Sequence, residues 1–147
     1  MIRTIGVNSK ASVTGCAMVG YFWNKTPHIA SPIEFVSAMS LTFENANLDH
    51  TVEYAAAARD AGDEKTALVI ERIGHDEVEH VRFGWRWLNE LKDAKTDAWD
   101  AWQDHLAWPL RPSKARGQRF HPEGRRAAGL DESFIERLEA AYEPPGR

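Results

Sequence analysis

The sequence predicts an all-α fold, and three observations support that prediction. Apolar residues recur at intervals of three and four over long stretches, which is the spacing of one face of a helix. Ser, Asp and Pro stand where helices are expected to begin, and Gly stands near an expected end. Long stretches of alternating apolar and polar residues, which are typical of strands, are absent from the sequence.

Composition and charge indicate which class of protein the sequence encodes. The chain has 147 residues, of which 43% are hydrophobic and 27% are charged, as in ordinary globular proteins. The net charge of −4 gives no general expectation of binding to nucleic acids or acidic membranes. A single cysteine, Cys16, cannot form an internal disulfide, and no run of residues is long and apolar enough to span a membrane. We therefore expect a cytoplasmic protein with no membrane partner.

The periodicity of apolar residues and the helix-start residues divide the chain into three parts. Residues 1–30 are weakly patterned and are predicted to be an irregular N-terminal segment. A helical domain is predicted over 31–142, because Ser31 can cap a helix and Pro32 suits its first position. Residues 143–147 form a short tail.

The first half of the helical domain reads as two helices followed by a long one. A first helix is predicted over 31–48, and the stretch "ANLDHT" predicts an interruption after it. Asp49 would then cap a short Ala-rich helix that ends at Gly62. Asp63 is expected to cap the longest helix, over 64–92.

The C-terminal part predicts two shorter helices around a basic loop. In "TDAWDAWQDHLAW", Trp99, Trp102 and Leu106 share one helical face. Residues 111–126 are basic and contain Gly and Pro, so we expect a solvated loop there, without contact to nucleic acid. The last helix should begin after Asp131, in "LDESFIERLEAAY".

Two side chains that are costly to bury, Glu77 and His80, interrupt the apolar line of the long helix. That line consists of Thr66, Ile70, Ile73, Glu77, His80, Gly84, Trp87 and Leu91. Glu77 and His80 are three residues apart, so their side chains point the same way. A metal ion would neutralise the carboxylate and accept the neutral imidazole as a ligand. Gly84 leaves space beside the pair for a neighbouring helix, a ligand or dioxygen.

The first helix carries a matching glutamate. Ser37, Leu41, Glu44 and Leu48 share a face, so Glu44 interrupts that apolar line. A lone glutamate on one helix and Glu-x-x-His on another is half of the ligand set that dimetal carboxylate proteins build inside a four-helix bundle. The residues therefore favour a metal site at Glu44, Glu77 and His80.

Simpler interpretations remain open at this point. A single Glu-x-x-His is common by chance, Glu77 could pair with Arg72 or Arg82, and His80 could be a core histidine. Asp76 could hydrogen-bond a metal ligand and fix its orientation, or its side chain could simply be solvated. Asp49 could hydrogen-bond His80, although a helix cap is the simpler interpretation.

Two long stretches resemble a known family. These are "FENANLDHTVEYAAAARDAGDEKTALVIERIGHDEVEHVRFGWRWL" and "HPEGRRAAGLDESFIERL". They are similar to the ferritin-like proteins of domain-of-unknown-function family 455, over about residues 34–142. The resemblance implies that Glu44 is the lone carboxylate ligand, and that Glu77 and His80 are the Glu-x-x-His ligands.

The resemblance also implies where this chain departs from the family. Members are longer, and their N-terminal half adds two helices with another Glu and another Glu-x-x-His. Here no second Glu-x-x-His is present, so the chain is expected to be a short variant matching the C-terminal half. We expect a ferritin-like helical hairpin plus short helices, with the four-helix bundle completed by a homodimer or by a separate chain.

The function expected from this resemblance is metal chemistry at a shared site. Two iron ions per homodimer, or manganese in their place, would support an oxygen-dependent oxidase or hydroxylase. The alternative is a non-enzymatic helper or assembly module without a functional metal site. Measuring the metal content of the purified chain would distinguish the enzyme from the helper or assembly module.

Overall fold

The structure is a computed structural model that describes residues 29–144. Within that range the chain is helical and contains no strand, so the all-α prediction is confirmed. The predicted irregular segment 1–30 and tail 143–147 lie largely outside the described residues. The elements are α1 (Pro32–Ala38), a π-helical segment (Met39–Glu44), α2 (Asn45–Asp60), α3 (Glu64–Leu91), α4 (Ala98–Asp104), a 3-10 turn (Pro112–Ala115), α5 (Pro122–Ala128) and α6 (Glu132–Ala140).

One continuous helical run replaces the two helices predicted before Gly62. Its start is as expected, because the Ser31 hydroxyl accepts a hydrogen bond from the Glu34 amide at 3.3 Å and Pro32 occupies the first turn. The predicted interruption at "ANLDHT" is wrong, and α2 passes through it. Asp49 is not a helix cap there, because its carboxylate is used by groups from the C-terminal part of the chain.

The π-helical segment Met39–Glu44 is stabilised by side chains that meet at one carbonyl. The Thr42 hydroxyl donates to the Ser37 carbonyl at 2.7 Å, and the Trp102 indole donates to the same oxygen at 3.1 Å. These extra donors support a wider turn inside an otherwise α-helical run. The segment ends at Glu44, which is one of the predicted ligands.

Helices α2 and α3 form an antiparallel pair. Asp63 caps α3 by accepting from the Thr66 amide at 3.0 Å, and Gly62 adopts a φ of 78° in the turn before it. The π-helical segment continues this antiparallel packing along α3. Its Ser40 lies against Gly84 and its Glu44 lies near His80, while Asn47 and Thr51 of α2 lie against Glu77 and Gly74. The pair is therefore in a fixed register around the middle of α3.

The C-terminal helices cover one side of this pair with aromatic rings. Phe134 of α6 lies 5.0 Å from the ring centroid of Trp85, 5.2 Å from Trp99 and 5.1 Å from Trp102. Both Trp99 and Trp102 are buried, as predicted from their shared face, although α4 is shorter than its sequence pattern suggested. No helix among residues 29–144 is both long and apolar enough to cross a membrane.

The predicted solvated loop over 111–126 is wrong in its second half. It contains α5, and Arg125 of that helix is fully buried. The Arg125 guanidinium contacts Asp49 at 2.7 and 3.0 Å, and the same carboxylate accepts the Gly117 and His121 amides at 2.8 Å each. A charged pair therefore joins α2 to the segment that the sequence suggested was solvated.

Candidate metal site

Glu44, Glu77 and His80 meet between the π-helical segment and α3. Each offers one ligand atom, and these atoms lie within 4.8 Å of one another. Nδ1 of His80 is 3.1 Å from Oε2 of Glu77 and 3.8 Å from Oε1 of Glu44. The structure thus brings together the three residues that the helical spacing singled out, with Nδ1 as the imidazole atom that faces both carboxylates.

Burial differs across the three side chains. The exposed fraction is 11% for Glu77, 26% for Glu44 and 55% for His80. The cluster is therefore closed on the side of the glutamates and open on the side of the histidine. Oε2 of Glu44 is buried and has no hydrogen-bond partner among the described residues. A buried carboxylate oxygen without a hydrogen-bond partner lowers the stability of a protein. A bound cation or an ordered water commonly supplies the missing partner.

The electrostatics of the cluster favour a positive charge within it. The hydrogen bond from His80 to Glu77 is the main reason that the pKa of His80 is raised above its ordinary value of 6.5. Partial burial opposes this shift, while the charges of Glu44, Glu77 and Asp76 add to it. Nδ1 of His80 is therefore the atom at which a proton and a metal ion would compete.

The simpler pairings considered for these residues are wrong. Arg72 lies 3.5 Å from Asp76, and Arg82 pairs with Glu79, so neither arginine neutralises Glu77. His80 is half exposed and is not a core histidine. Within residues 29–144, His80 is the one basic side chain within 4.0 Å of the Glu44 or Glu77 carboxylate.

The two candidate supporting residues do not join the cluster. Asp76 is exposed and contacts Arg72, so it contributes charge near His80 without a hydrogen bond to it. Asp49 lies in the buried pair with Arg125, where four donors occupy its carboxylate. Gly84 faces the Ser40 side chain, so of the three occupants considered for its space, a neighbouring helix fills it.

Sequence reasoning missed one contact of the cluster. Nδ2 of Asn47 donates to Oε1 of Glu77 at 2.9 Å, across the two helices. Within "ANLDHT", Asn47 predicts a helix end because asparagine tolerates a left-handed backbone, whereas in the structure it lies inside α2. Its position three residues after Glu44, on the same helical face, was the signal that could have identified it.

The apolar line predicted for α3 is only partly buried. The residues of α3 that pack inside the described chain are Ala67, Glu77, Val81, Gly84, Trp85 and Leu88. Ile73, Trp87 and Leu91 are instead exposed by 40–46%, and helical spacing puts them on the same face as His80. We call these three residues the open edge. The candidate site therefore lies beside an exposed apolar edge and not inside a closed core.

These observations define an all-α protein with a Glu–Glu–His cluster between two antiparallel helices. The chain belongs to the family described as protein of unknown function (DUF455), whose model matches residues 16–136. The matched range includes Glu44, Glu77 and His80. Neither a search among curated proteins nor a search among solved structures found a match.

Proposed function

We propose that this protein binds iron or manganese through Glu44, Glu77 and His80, in a ferritin-like arrangement. One observation carries the proposal: two carboxylates and one imidazole nitrogen meet within 4.8 Å. No Lys or Arg side chain in residues 29–144 forms an ion pair with either carboxylate. A structural cluster would gain stability from such a cation, whereas a metal site must leave the carboxylates free.

A divalent ion fits the donor set chemically. It would balance the charge of the two carboxylates, take neutral His80 as a third ligand and give Oε2 of Glu44 a partner. Mixed carboxylate and imidazole ligands suit iron and manganese, and zinc is the ion to exclude by measurement.

We further propose that two copies of the chain share this site. Three side chains are half of the ligand set of a ferritin-like dimetal centre, which uses two lone glutamates and two Glu-x-x-His pairs. A two-fold axis at the open edge would bring a second set opposite the first and cover Ile73, Trp87 and Leu91. A different chain that supplies the second half is the alternative partner.

The reaction class follows from the metals and not from the protein side chains. Two bound ions would supply oxygen-dependent oxidation, the chemistry of an oxidase or hydroxylase. The contribution of this chain is to fix the ligands on two packed helices and to leave the His80 side open for small molecules.

Metal analysis of the purified protein tests the proposal. Iron, manganese and zinc per chain are measured by mass spectrometry for the wild type, Glu77→Gln and Glu79→Gln. Glu79 is a matched control, because it is an exposed glutamate two residues away that pairs with Arg82. We expect about one ion per chain in the wild type and in Glu79→Gln, and a loss in Glu77→Gln, since a neutral amide is a poorer ligand.

Two results would contradict this function. One is a wild type without metal after purification and after incubation with ferrous or manganous ion. The other is equal metal content in Glu77→Gln and in the wild type. The first result would favour a non-enzymatic helper or assembly module built on the same helices, and the second would mean that the metal binds elsewhere on the chain.

A further inference from the structure

The two oxygens of Glu77 have different partners. Oε1 accepts the Asn47 carboxamide at 2.9 Å, while Oε2 faces Nδ1 of His80 at 3.1 Å. Because an ionised carboxylate only accepts, the nitrogen of Asn47 must face it. One oxygen is thus held from the neighbouring helix, and the other points toward the ligand cluster.

The chemistry of the partner matters as much as its position. Asn47 is neutral, so it orients the carboxylate without cancelling its charge. An Arg or Lys at this position would have formed an ion pair and competed with a metal ion. The side chain of Glu77 is only 11% exposed, so bulk water is poorly placed to replace the amide donor.

The helix pair fixes the distance over which Asn47 acts. Thr51, one turn along α2, donates to the Asn47 carbonyl at 2.7 Å and lies against Gly74 of α3. A Cβ built on Gly74 would lie 2.8 Å from the Thr51 hydroxyl oxygen, so the helices approach closely at this level. The distance between the Asn47 and Glu77 side chains is therefore set by the packing of two helix backbones and not by a flexible loop.

We propose that Asn47 is a positioning residue that makes Glu77 bind metal through Oε2 alone. This inference rests on the proposed metal-binding function and adds to it the binding mode of one ligand. Hydrogen-bond partners of metal ligands typically contribute roughly 10–100-fold to metal affinity, because they limit the orientations of the ligand. Without Asn47 the Glu77 carboxylate would rotate and bind through either oxygen or through both.

The test compares Asn47→Leu, which has a similar size but no donor, with Asn89→Leu as a matched control. The Asn89 carboxamide donates to the Trp85 carbonyl within α3 at 2.9 Å, and helical spacing puts Asn89 on the opposite face of that helix from His80. The affinity of the full chain for Mn²⁺ is measured from the spin-resonance signal of the free ion. We expect Asn47→Leu to weaken binding roughly 10–100-fold and Asn89→Leu to bind as the wild type does.

Co²⁺ absorption supplies a second measurement that a purely structural role would not change. A Glu77 carboxylate that binds through both oxygens raises the coordination number, and the visible bands of Co²⁺ weaken. We expect weaker bands in Asn47→Leu than in the wild type, a change that a loss of stability alone would not produce. If Asn47→Leu does not fold, Asn47→Ala takes its place in both measurements.

The outcomes separate this inference from the function on which it rests. A wild type that binds neither Mn²⁺ nor Co²⁺ would overturn both. A wild type that binds them, with equal affinity and an equal spectrum in Asn47→Leu, would overturn the positioning role and leave the metal function standing. A lower melting temperature with unchanged affinity would show that Asn47 only joins the helices.

Discussion

His80 contacts Glu77 through Nδ1, which is also its proposed metal-binding atom. Its pKa is raised because Nδ1 bonds to Glu77, with smaller contributions from the charges of Glu44 and Asp76. A group whose pKa is raised on folding adds stability that is fully present below its unfolded pKa of about 6.5. That contribution is lost as pH rises through the higher folded value.

The direction in which this stability contribution changes with pH gives a prediction for the metal-free protein. The free energy of unfolding of the wild type should exceed that of His80→Gln by more at about pH 5.5 than at about pH 9, because glutamine does not titrate. Urea unfolding followed by circular dichroism at the two pH values measures the difference. A gap between the two proteins that is constant with pH, or that widens in alkali, would contradict the assigned contact.

Gly84 permits the close approach of α3 to the π-helical segment. A Cβ at this position would clash with Cβ of Ser40. We predict that Gly84→Ala lowers the free energy of unfolding by about 1–3 kcal/mol through overpacking.

A double variant tests the named contact behind that prediction. Urea unfolding of Gly84→Ala, Ser40→Gly and the double variant measures their coupling. Ser40→Gly should restore part of the loss caused by Gly84→Ala. Strictly additive effects would rule out a direct clash.

Helical spacing sufficed to predict the three cluster residues, while tertiary contacts decided the residues around them. Glu44, Glu77 and His80 were predictable because a 3.6-residue period fixes which side chains share a face. Asn47 and Asp49 were read as signs of a helix break, since local propensity favours that interpretation. Their side chains instead bond to Glu77 and Arg125, which are far away in sequence.

At the level of elements, the buried pair of Asp49 and Arg125 explains the continuity of α2. Burial lowers the pKa of the Arg125 guanidinium, and the hydrogen bond and charge of Asp49 oppose that shift. The pair also binds the carbonyls of Asn45 and Ala115. It therefore joins α2, α5 and the 3-10 turn in one polar contact inside the domain.

Removing one partner of this pair should be costly. We predict that Arg125→Met lowers the free energy of unfolding by about 3–5 kcal/mol, because the Asp49 charge is left buried without its partner. Arg126→Met is the matched control: Arg126 is the next residue, and its pair with Glu132 is exposed, so its loss should cost about 0–1 kcal/mol. Denaturant unfolding that gives equal losses for the two variants would contradict the structural role of the pair.

The elements themselves were predictable to different degrees. The long helix α3 agrees with its prediction within one residue at its C-terminal end, since its apolar period and its Asp63 cap point the same way. Helix α5 was missed because seven residues that include Gly and two arginines resemble a basic loop. The π-helical segment had no sequence signal, since the indole of Trp102, sixty-five positions after Ser37, helps to stabilise it.

For the whole molecule, the fold class was predictable and the exposure of one apolar face was not. The described helices give one Glu–Glu–His cluster beside the open edge. Periodicity reports that a face is apolar, but not whether the same chain buries it. For this reason Ile73 was assigned to a buried line and is 46% exposed.

We predict that the chain is a dimer in solution through its open edge. Ile73→Lys should give a monomer by light scattering, because two lysines would face each other across a two-fold axis. Leu68→Lys should leave the dimer intact, since Leu68 is 56% exposed but lies about 140° away around the same helix. A wild type that stays monomeric with and without Mn²⁺ would contradict the shared site.

Anomalous diffraction from crystals grown with Mn²⁺ measures whether this cluster binds metal. We expect a manganese peak about 2.0–2.2 Å from Nδ1 of His80 and from a carboxylate oxygen of both Glu44 and Glu77. Two such peaks should lie near a two-fold axis. Crystals grown with millimolar Mn²⁺ that give no peak at these residues, or that hold manganese only elsewhere on the chain, would contradict metal binding by the cluster.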